Sequence, residues 1–220
     1  MKQAVFFDFD KTLINCDSQA EEGAYFVRTG RFSLLYIVKI VRVLLAEILY
    51  KWHLLKPDQY NALYVKTYKG MNSVWLREQA AIIYQQRLKP SYIPEMIAKM
   101  EAHRKNGDLV VVVTATPEHL IEQAQSDLKP DFILSTVLET DVSGFCSGKT
   151  VGNICVGKAK AAAIRKLATA KDISLADSYA YSDHHADIEF LQAVGHAAVV
   201  NPTRKLLKAA IKEKWKILKY

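Results

Sequence analysis

Two aspartates near the N-terminus are spaced in a way that suits chemistry. The apolar run Ala4 to Phe7 leads directly into Asp8 and Asp10. Aromatic and β-branched residues predict a buried strand here, and strand alternation places both aspartates on one face at its carboxyl end. Ligands bind at that end in open α/β sheets. Two neighbouring carboxylates repel unless a cation lies between them or one keeps a proton. An acidic surface turn is the alternative, so the chemical interpretation depends on partners downstream.

Groups suited to phosphate or metal lie at the ends of the later predicted strands and at one helix start. They are the side chains of Thr114, Lys158, Asp183 and Asp187 and the backbone amide of Ala115. The Thr114 hydroxyl and the amides after it, beginning with Ala115, can donate to an anion at the start of the next helix. That helix is predicted to open with Thr116 as its N-cap and Pro117 at its first position. Lys158 follows Gly157 at a helix start, where its charge can reach a phosphoryl oxygen. We expect Asp183 and Asp187 to converge with Asp8 and Asp10.

This set of residues fits a Mg²⁺-dependent phosphoryl transfer through aspartate. Mg²⁺ prefers hard oxygen ligands and keeps several waters, so two carboxylates, a carbonyl and a phosphate suffice. A carboxylate nucleophile is ionised at neutral pH and forms an acyl phosphate that water can remove. A second carboxyl can protonate the leaving alkoxide and later deprotonate the water.

The elements that must position these residues fall into two blocks. Residues 15–90 show helical periodicity, with helices predicted over 32–50, 58–69 and 72–88, and form an inserted helical cap domain. Residues 1–14 and 91–220 alternate between strands and helices. Repeated β-then-α units predict an α/β core with a doubly wound, mostly parallel, Rossmann-like sheet. Residues 137–149 are typical of a hairpin or flap, and a helix is predicted over 203–214.

The segment 32–50 is the most hydrophobic part of the chain and raises a transmembrane question. Lys39, Arg42 and Glu47 fall within one sector of a helix, which favours a helix packed in the core over a span. Flanking aromatic and basic residues leave a peripheral membrane contact through this helix as an open alternative.

Composition narrows the class of protein. The 220 residues are 50% hydrophobic, enough for one good core and a smaller one. Three cysteines without a Cys-x-x-Cys spacing fit free thiols in a reducing compartment, and no signal peptide is recognised, so we expect a cytoplasmic protein. The net charge of +7 favours an anionic partner, but no motif supports nucleic acid. The basic C-terminal residues are interpreted as a solvated helix face. The sequence leaves the oligomeric state open.

The ordered motifs resemble those of haloacid-dehalogenase-like phosphatases over nearly the whole chain. They are Asp-Phe-Asp-Lys-Thr at 8–12, the strand ending in Thr114, Gly157-Lys158, and Ser-Asp-x-x-x-Asp at 182–187. The insert after the first strand and the stretch Thr-Ala-Thr-Pro-Glu are similar to subfamily IB, the phosphoserine-phosphatase-like branch.

That resemblance implies a role for each motif residue. Asp8 would be the nucleophile and Asp10 the general acid and base, while Thr114, Ala115 and Lys158 would bind phosphate. Mg²⁺ would be held by Asp8, the Asp10 carbonyl and Asp183. Asp187 would orient the Lys158 ammonium or a metal-bound water, and Thr12 would support the site from outside the ligand set.

The substrate stays open at the sequence level. Ala186 stands where phosphoserine phosphatases carry an asparagine, and no clear match to their serine-binding glutamate is found near Asp17. A small phosphorylated metabolite is the leading substrate class, and a lipid phosphate reached through segment 32–50 is the alternative. A phospho-aspartate receiver is disfavoured, because its acceptor aspartate follows a strand in the middle of the chain, whereas the paired aspartates here follow the first strand. His184 and His185 are interpreted as flanking the site, because a hard Mg²⁺ site prefers oxygen.

Overall fold

A parallel sheet organises the chain, for which the computed structural model describes residues 2–30, 34–52, 54–55 and 57–220. In chain order its strands are β1 Ala4–Phe7, β2 Leu109–Pro117, β3 Phe132–Thr136, β6 Tyr179–Ser182, β7 His196–Val200 and β8 Lys216–Leu218. They lie side by side in the order β3-β2-β1-β6-β7-β8. A separate antiparallel hairpin consists of β4 Leu138–Thr140 and β5 Cys146–Thr150.

Strand β1 lies in the middle of the sheet. Phe7 pairs with Val112 of β2 on one side and with Tyr181 of β6 on the other, both in parallel. All four residues of β1 are fully buried, as a strand covered on both faces requires. The residues after Phe7 therefore emerge between two neighbouring strands, at the carboxyl edge of the sheet.

A helical insert, residues 18–91, separates β1 from the rest of the sheet. It comprises α1 Ser18–Thr29, α2 Leu34–Lys51, α3 Pro57–Val65, the 3₁₀ turn Lys66–Tyr68, α4 Ser73–Ile83, the π-helical turn Tyr84–Leu88 and the 3₁₀ turn Lys89–Ser91. Helix α1 begins where the Asp17 side chain accepts a hydrogen bond from the Ala20 amide (3.1 Å). It ends at Gly30, whose φ of 63° lies in the left-handed region.

The remaining helices cover the two faces of the sheet. They are α5 Pro94–Lys105, α6 Glu118–Ile121, the 3₁₀ turn Glu122–Ala124, α7 Gln125–Leu128, α8 Lys158–Lys171, the 3₁₀ turn His185–Asp187, α9 Ile188–Leu191 and α10 Arg204–Lys212. Val5 and Phe7 point into one apolar cluster with α5 and the insert, whereas Ala4 and Phe6 point into another with α8 and α10. Helices on both faces confirm the predicted doubly wound α/β class.

Two predicted boundaries were wrong. Pro117 does not open a helix, because its ψ of 146° is extended and it pairs with Thr136 at the end of β2. Near the C-terminus the helix stops at Lys212, the chain reverses at Lys214 with a φ of 56°, and β8 adds to the edge of the sheet. The basic residues of the last 17 positions therefore do not share one helix face.

The hairpin and α2 also bear on earlier expectations. The predicted flap is the β4–β5 hairpin, and it joins the insert through the Cys146 amide, which donates to the Met71 carbonyl (2.8 Å). Across the described ranges, no helix combines the length and apolar character that crossing a bilayer requires.

Candidate active site

The turn after β1 directs two aspartates into one pocket. The Asp8 amide donates to the Tyr181 carbonyl (3.0 Å), which continues the sheet pairing one residue past the strand. The Phe9 carbonyl then accepts the amide of Leu13 (2.8 Å), and Lys11 adopts a φ of 55°, so the chain turns back at once. Asp8 and Asp10 both line a cavity of about 520 Å³ between the sheet edge and the insert.

Asp8 is held by an ammonium group and a backbone amide. Its Oδ1 lies 2.8 Å from Lys160 Nζ and accepts the Phe9 amide at 2.7 Å. Burial raises the pKa of the Asp8 carboxyl to about 6; Lys160 lowers it and Asp187 raises it. Among the described residues, the second oxygen, Oδ2, accepts only one long hydrogen bond, from the Ser182 hydroxyl at 3.4 Å.

Asp10 turns toward the start of α1 instead. Its Oδ1 accepts the Ser18 amide (2.8 Å), and its Oδ2 accepts the hydroxyls of Thr116 (2.9 Å) and Ser18 (3.1 Å). Burial and the nearby Asp17 carboxylate raise the pKa of the Asp10 carboxyl to about 7, against the Ser18 amide, which lowers it. Asp10 can therefore change protonation near neutral pH, while its hydrogen bonds fix its position.

Of the two lysines at the start of α8, Lys160 lines the cavity, whereas the predicted Lys158 lies outside it. Lys158 is the first residue of α8, its side chain is 86% exposed, and it lies 3.5 Å from Glu189. Lys160 lies on the buried face of the same helix, and its Nζ bridges Asp8 and Asp187 at 2.8 and 2.7 Å. Two residues along a helix correspond to a rotation of about 200°, which carries the side chain from solvent into the site.

Asp187 holds the Lys160 ammonium group in position. Its Oδ2 accepts Lys160 Nζ and the Ser182 hydroxyl (2.8 Å), and its Oδ1 accepts the Gly157 amide (3.3 Å). Burial alone would raise the Asp187 pKa, but the Lys160 charge and these donors hold it below its usual value. The predicted role of Asp187 in orienting a lysine thus has a geometric counterpart in Lys160.

Asp183 lies in the same pocket under different forces. It is 6% exposed and follows β6 directly. Burial and repulsion from Asp8 and Asp187 raise its pKa well above the usual range, and Lys11 and Lys160 only partly oppose them. This carboxyl therefore lies where negative charge is concentrated and a cation would be stabilised.

The predicted phosphate-binding and supporting residues lie close by. Thr114 and Ala115 line the cavity, and the Thr114 hydroxyl donates to Thr116 Oγ1 at 2.8 Å. Thr12 is fully buried, and its Oγ1 finds no hydrogen-bond partner among the described residues. His184 lines the cavity, and burial lowers its pKa to about 4, so its imidazole is neutral at physiological pH.

The helical insert forms the outer part of the cavity. Helix α1 contributes a row of small side chains, and α2 and α3 contribute apolar and aromatic ones. The insert residues that line it include Ala20, Gly23, Ala24, Val43, Tyr60 and Tyr64. Charged groups stand at both ends of the α1 wall, with Asp17 near Asp10 and Arg28 at the far end.

Comparison with known proteins agrees with this arrangement. The haloacid dehalogenase-like hydrolase family matches residues 5–192, a stretch that holds Asp8, Asp10, Lys160, Asp183 and Asp187. The chain belongs to the haloacid dehalogenase-like hydrolase family. The resemblance inferred from the motifs is therefore confirmed.

Three curated relatives of this family member carry phosphatase names. A probable phosphatase of Mycobacterium tuberculosis H37Rv is 30% identical over all of this chain and 76% of its own length. A phosphoserine phosphatase of the same strain is 29% identical over 97% of this chain and 70% of its own. A histidinol-phosphatase of Neisseria meningitidis is 24% identical over the full length of both. These names agree with the predicted enzyme class, a phosphatase.

Solved structures show the same fold. A protein of unknown function from Bordetella pertussis Tohama I has a TM-score of 0.87 at 23% identity, covering 99% of this chain and 98% of its own. A phosphoserine phosphatase, solved as an analogue of its phospho-aspartyl intermediate, has a TM-score of 0.71 at 19% identity, covering 99% and 93%.

The donor set of this hydrolase fits a hard divalent cation. The carboxylates of Asp8 and Asp183 share one buried pocket and raise each other's cost of ionisation, which a cation would offset. No group of three or more histidine, cysteine, aspartate or glutamate side chains suited to a metal occurs among the described residues. A magnesium site does not need three, because carbonyl, water and phosphate oxygens complete its shell.

Sequence reasoning missed several side chains that hold the catalytic candidates in place. Lys160 shares the buried face of α8 with Ala161, Ile164 and Ala168, so helical periodicity is the sequence signal that could have identified it. Thr116 follows Thr114 by two residues in β2, and strand alternation places both on one face. No comparable signal marks Ser18, whose contact with Asp10 depends on how the insert docks.

Proposed function

We propose that this protein hydrolyses phosphomonoesters of small metabolites with Mg²⁺ through an aspartyl-phosphate intermediate. The observation that carries the proposal is that two aspartates two residues apart have different surroundings. Asp8 is paired with an ammonium group, whereas Asp10 is held by Ser18 and Thr116 with a pKa near 7. Carboxylates in different environments take different roles in acid–base chemistry.

In the first step a carboxylate oxygen of Asp8 attacks phosphorus, and the bond to the leaving oxygen breaks. Asp10 donates its proton to that oxygen, so an alcohol departs. In the second step Asp10, now ionised, takes a proton from water, and the resulting hydroxide attacks the acyl phosphate. Inorganic phosphate leaves and Asp8 is regenerated.

The remaining residues hold the phosphoryl group and its charge. Lys160 already touches Asp8 and is placed to neutralise an oxygen of the incoming phosphate. Thr114 and Ala115 line the same cavity, where the Ala115 amide would supply one uncharged donor and the Thr114 hydroxyl a second on turning away from Thr116. Asp8, Asp183 and the Asp10 carbonyl would hold Mg²⁺, which would supply positive charge to stabilise the transferring phosphoryl group.

The cavity supports a substrate of metabolite size. Its volume of about 520 Å³ lies within the range typical of small-molecule sites. Since one relative is named for phosphoserine and another for histidinol phosphate, both compounds belong in a substrate panel beside an aryl phosphate. We propose that the helical insert acts as the cap that selects among them.

Trapping of the intermediate tests the proposal directly. Enzyme quenched during turnover of an aryl phosphate should carry a base-labile phosphate on Asp8, located by borohydride reduction and peptide mass spectrometry. Asp8→Asn should abolish turnover and labelling, and Asp10→Asn should slow turnover by roughly two to four orders of magnitude. The matched control is Asp172→Asn at an exposed helix end, which should leave both unchanged. Full turnover by Asp8→Asn would disprove the assignment.

A further inference from the structure

Helix α2 carries a second apolar face that the active site does not use. Five outward-pointing residues of the helix and Trp52, which directly follows it, remain between 41% and 72% exposed: Val38, Val41, Leu45, Ile48, Leu49 and Trp52. We call these six side chains the α2 stripe. Five of them are spaced alternately by three and four residues, which is the spacing of a helix seam that packs against another helix.

The opposite face of α2 is already committed to the insert. Val43 and Ala46 are buried, and Val43 lines the active-site cavity. Lys39 reaches inward, where its Nζ donates to the carbonyls of Thr67 (3.2 Å) and Lys69 (2.9 Å). Packing within the chain therefore accounts for one face of α2 and leaves the stripe on the other.

The size of the stripe suits a protein partner. Its six side chains expose on the order of 600 Å² in all, near the upper limit of apolar patches on monomeric proteins. Two such patches in contact would bury about 1,200 Å², the lower end of the range for specific interfaces. We propose that the α2 stripe binds the α2 stripe of a second copy, forming a two-fold dimer.

The order of side-chain sizes selects an antiparallel arrangement. With Leu45 at the two-fold axis, Trp52 of one copy meets Val38 of the other, and Ile48 meets Val41. At the levels on either side of the axis a larger side chain then faces a smaller one, which favours close packing. A parallel pair would set Trp52 against Trp52 and Val38 against Val38, which crowds one end and leaves the other loose.

The charges near the stripe favour this partner over a lipid surface. A helix that lies in a membrane interface keeps a basic polar face toward the headgroups. On the inner face of α2, Lys39 donates its hydrogen bonds to carbonyl oxygens of the insert and not to solvent. Arg42 is exposed at the edge of the stripe. The stripe itself has no charged member, so two chains of net charge +7 can meet there without placing charge against charge.

Sedimentation equilibrium from about 1 to about 100 µM tests the dimer, because interfaces at the lower end of the size range are typically weak and this range covers micromolar dissociation constants. Wild type should pass from monomer to dimer and associate more strongly as salt screens the repulsion between like-charged copies. Val41→Glu should raise the dissociation constant at least tenfold. Val74→Glu is the matched control, because Val74 is also an exposed valine on a helix, 60% exposed against 48% for Val41.

Cross-linking tests the orientation. On a Cys16→Ser background, a mixture of Val38→Cys and Trp52→Cys proteins should form a disulfide-linked heterodimer, and neither alone should do so efficiently. Predominant cross-linking of Val38→Cys to itself would overturn the antiparallel pair. A wild-type protein that stays monomeric at about 100 µM would overturn the dimer. Monomer that co-sediments with anionic vesicles through Val41, and is released by salt, would assign the stripe to lipid instead.

Discussion

At the scale of single residues, the site depends on one buried lysine shared by two carboxylates. Lys160 is 2% exposed and touches Asp8 and Asp187, which are themselves buried. A buried ion pair contributes little net stability, because desolvation offsets the attraction between its charges. Removing one partner is nevertheless destabilising, because it leaves an uncompensated buried charge. The arrangement therefore serves to place charge where phosphate binds more than to stabilise the fold.

Replacement of the two lysines of α8 should separate their roles. Lys160→Met should lower kcat/KM by at least about a hundredfold and reduce stability by about 3–5 kcal/mol, because Asp8 and Asp187 lose their common counter-ion. Lys158→Met should change neither by more than about twofold or about 0.5 kcal/mol, since that side chain is exposed. Steady-state kinetics and thermal unfolding of both variants provide the measurement. The reverse ranking would restore Lys158 as the phosphate ligand.

The choice between Lys158 and Lys160 shows where sequence reasoning stops at this scale. The motif places a lysine directly after a glycine at a helix start, which fits Lys158. Lys160 is marked instead by the apolar periodicity of α8, which places it on the buried face. Asp8 and Asp10 had no such competitor, because the end of a buried strand fixes their positions from the sequence.

Thiol chemistry offers a pH-dependent test of the buried interior. Burial raises the pKa of the Cys155 thiol to about 12, so at pH 9 only about one molecule in a thousand carries the reactive thiolate. Native protein should therefore leave Cys155 unalkylated by iodoacetamide at pH 8–9, with reaction confined to the half-buried Cys16. Peptide mass spectrometry after a timed quench gives the measurement, and the unfolded protein is the control. Rapid alkylation of native Cys155 would contradict the burial on which the pKa depends.

At the scale of elements, a buried polar network ties the insert to the core. Glu22 of α1 accepts a hydrogen bond from Tyr68 and lies 2.8 Å from His119 Nε2 of α6. Glu22 is 1% and His119 is 5% exposed. The network joins the end of β2, which holds Thr114 and Thr116, to the helix that lines the substrate cavity.

A double-mutant cycle on this network should show strong coupling. Glu22→Ala should cost about 1–3 kcal/mol, because the buried His119 imidazole loses its carboxylate hydrogen-bond partner. Subsequent removal of His119 should cost much less than it does in wild type, so the two changes should be non-additive by at least about 1 kcal/mol. Urea unfolding of the four proteins measures the cycle. Additive costs would mean that the contact is energetically neutral.

Close packing of two loops at the sheet makes a separate prediction. A Cβ on Gly195 would lie 1.7 Å from the Ala176 carbonyl oxygen, so the backbone would have to move. Gly195→Ala should cost at least about 2–3 kcal/mol as an overpacked site. At Gly152, with a φ of 77° and open space around it, alanine should cost only the left-handed penalty of about 1–2 kcal/mol. Thermal unfolding of both variants measures the difference, and equal costs would contradict the close approach.

Element types followed from the sequence more readily than element ends. The β-branched run before Thr114 and the alternation of strands and helices predicted the sheet, because burial on both faces leaves a plain apolar signal. The short edge strand β8 carried no such signal, since Lys216 and Ile217 are exposed. It exists because the exposed edge of β7 offers unpaired backbone groups nearby.

At the scale of the whole molecule, the site depends on contacts between distant parts of the chain. Asp8 and Ser182 meet across 174 positions, and Asp10 and Thr116 across 106. The sequence predicted that the strand ends converge, because parallel strands share one carboxyl edge. It could not predict how the insert docks on that edge, which depends on side-chain packing between α1, α2 and α3. The cavity and the α2 stripe both arise from that docking.

Concentrated negative charge at the sheet edge should make the stability of the whole protein depend on Mg²⁺. Asp183 and Asp8 repel each other in a buried pocket, and a cation that binds only the folded state adds about 2.7 kcal/mol at a hundred times its dissociation constant. For a chain of 220 residues this corresponds to a rise in Tm of about 5–10 °C. Asp183→Ala removes both the repulsion and a ligand, so it should be more stable than metal-free wild type and should not respond to Mg²⁺.

Thermal unfolding with MgCl₂ and with NaCl at equal ionic strength measures the effect. An identical Mg²⁺ response in wild type and Asp183→Ala would place the cation elsewhere, and no response in wild type at saturating Mg²⁺ would remove it from this site.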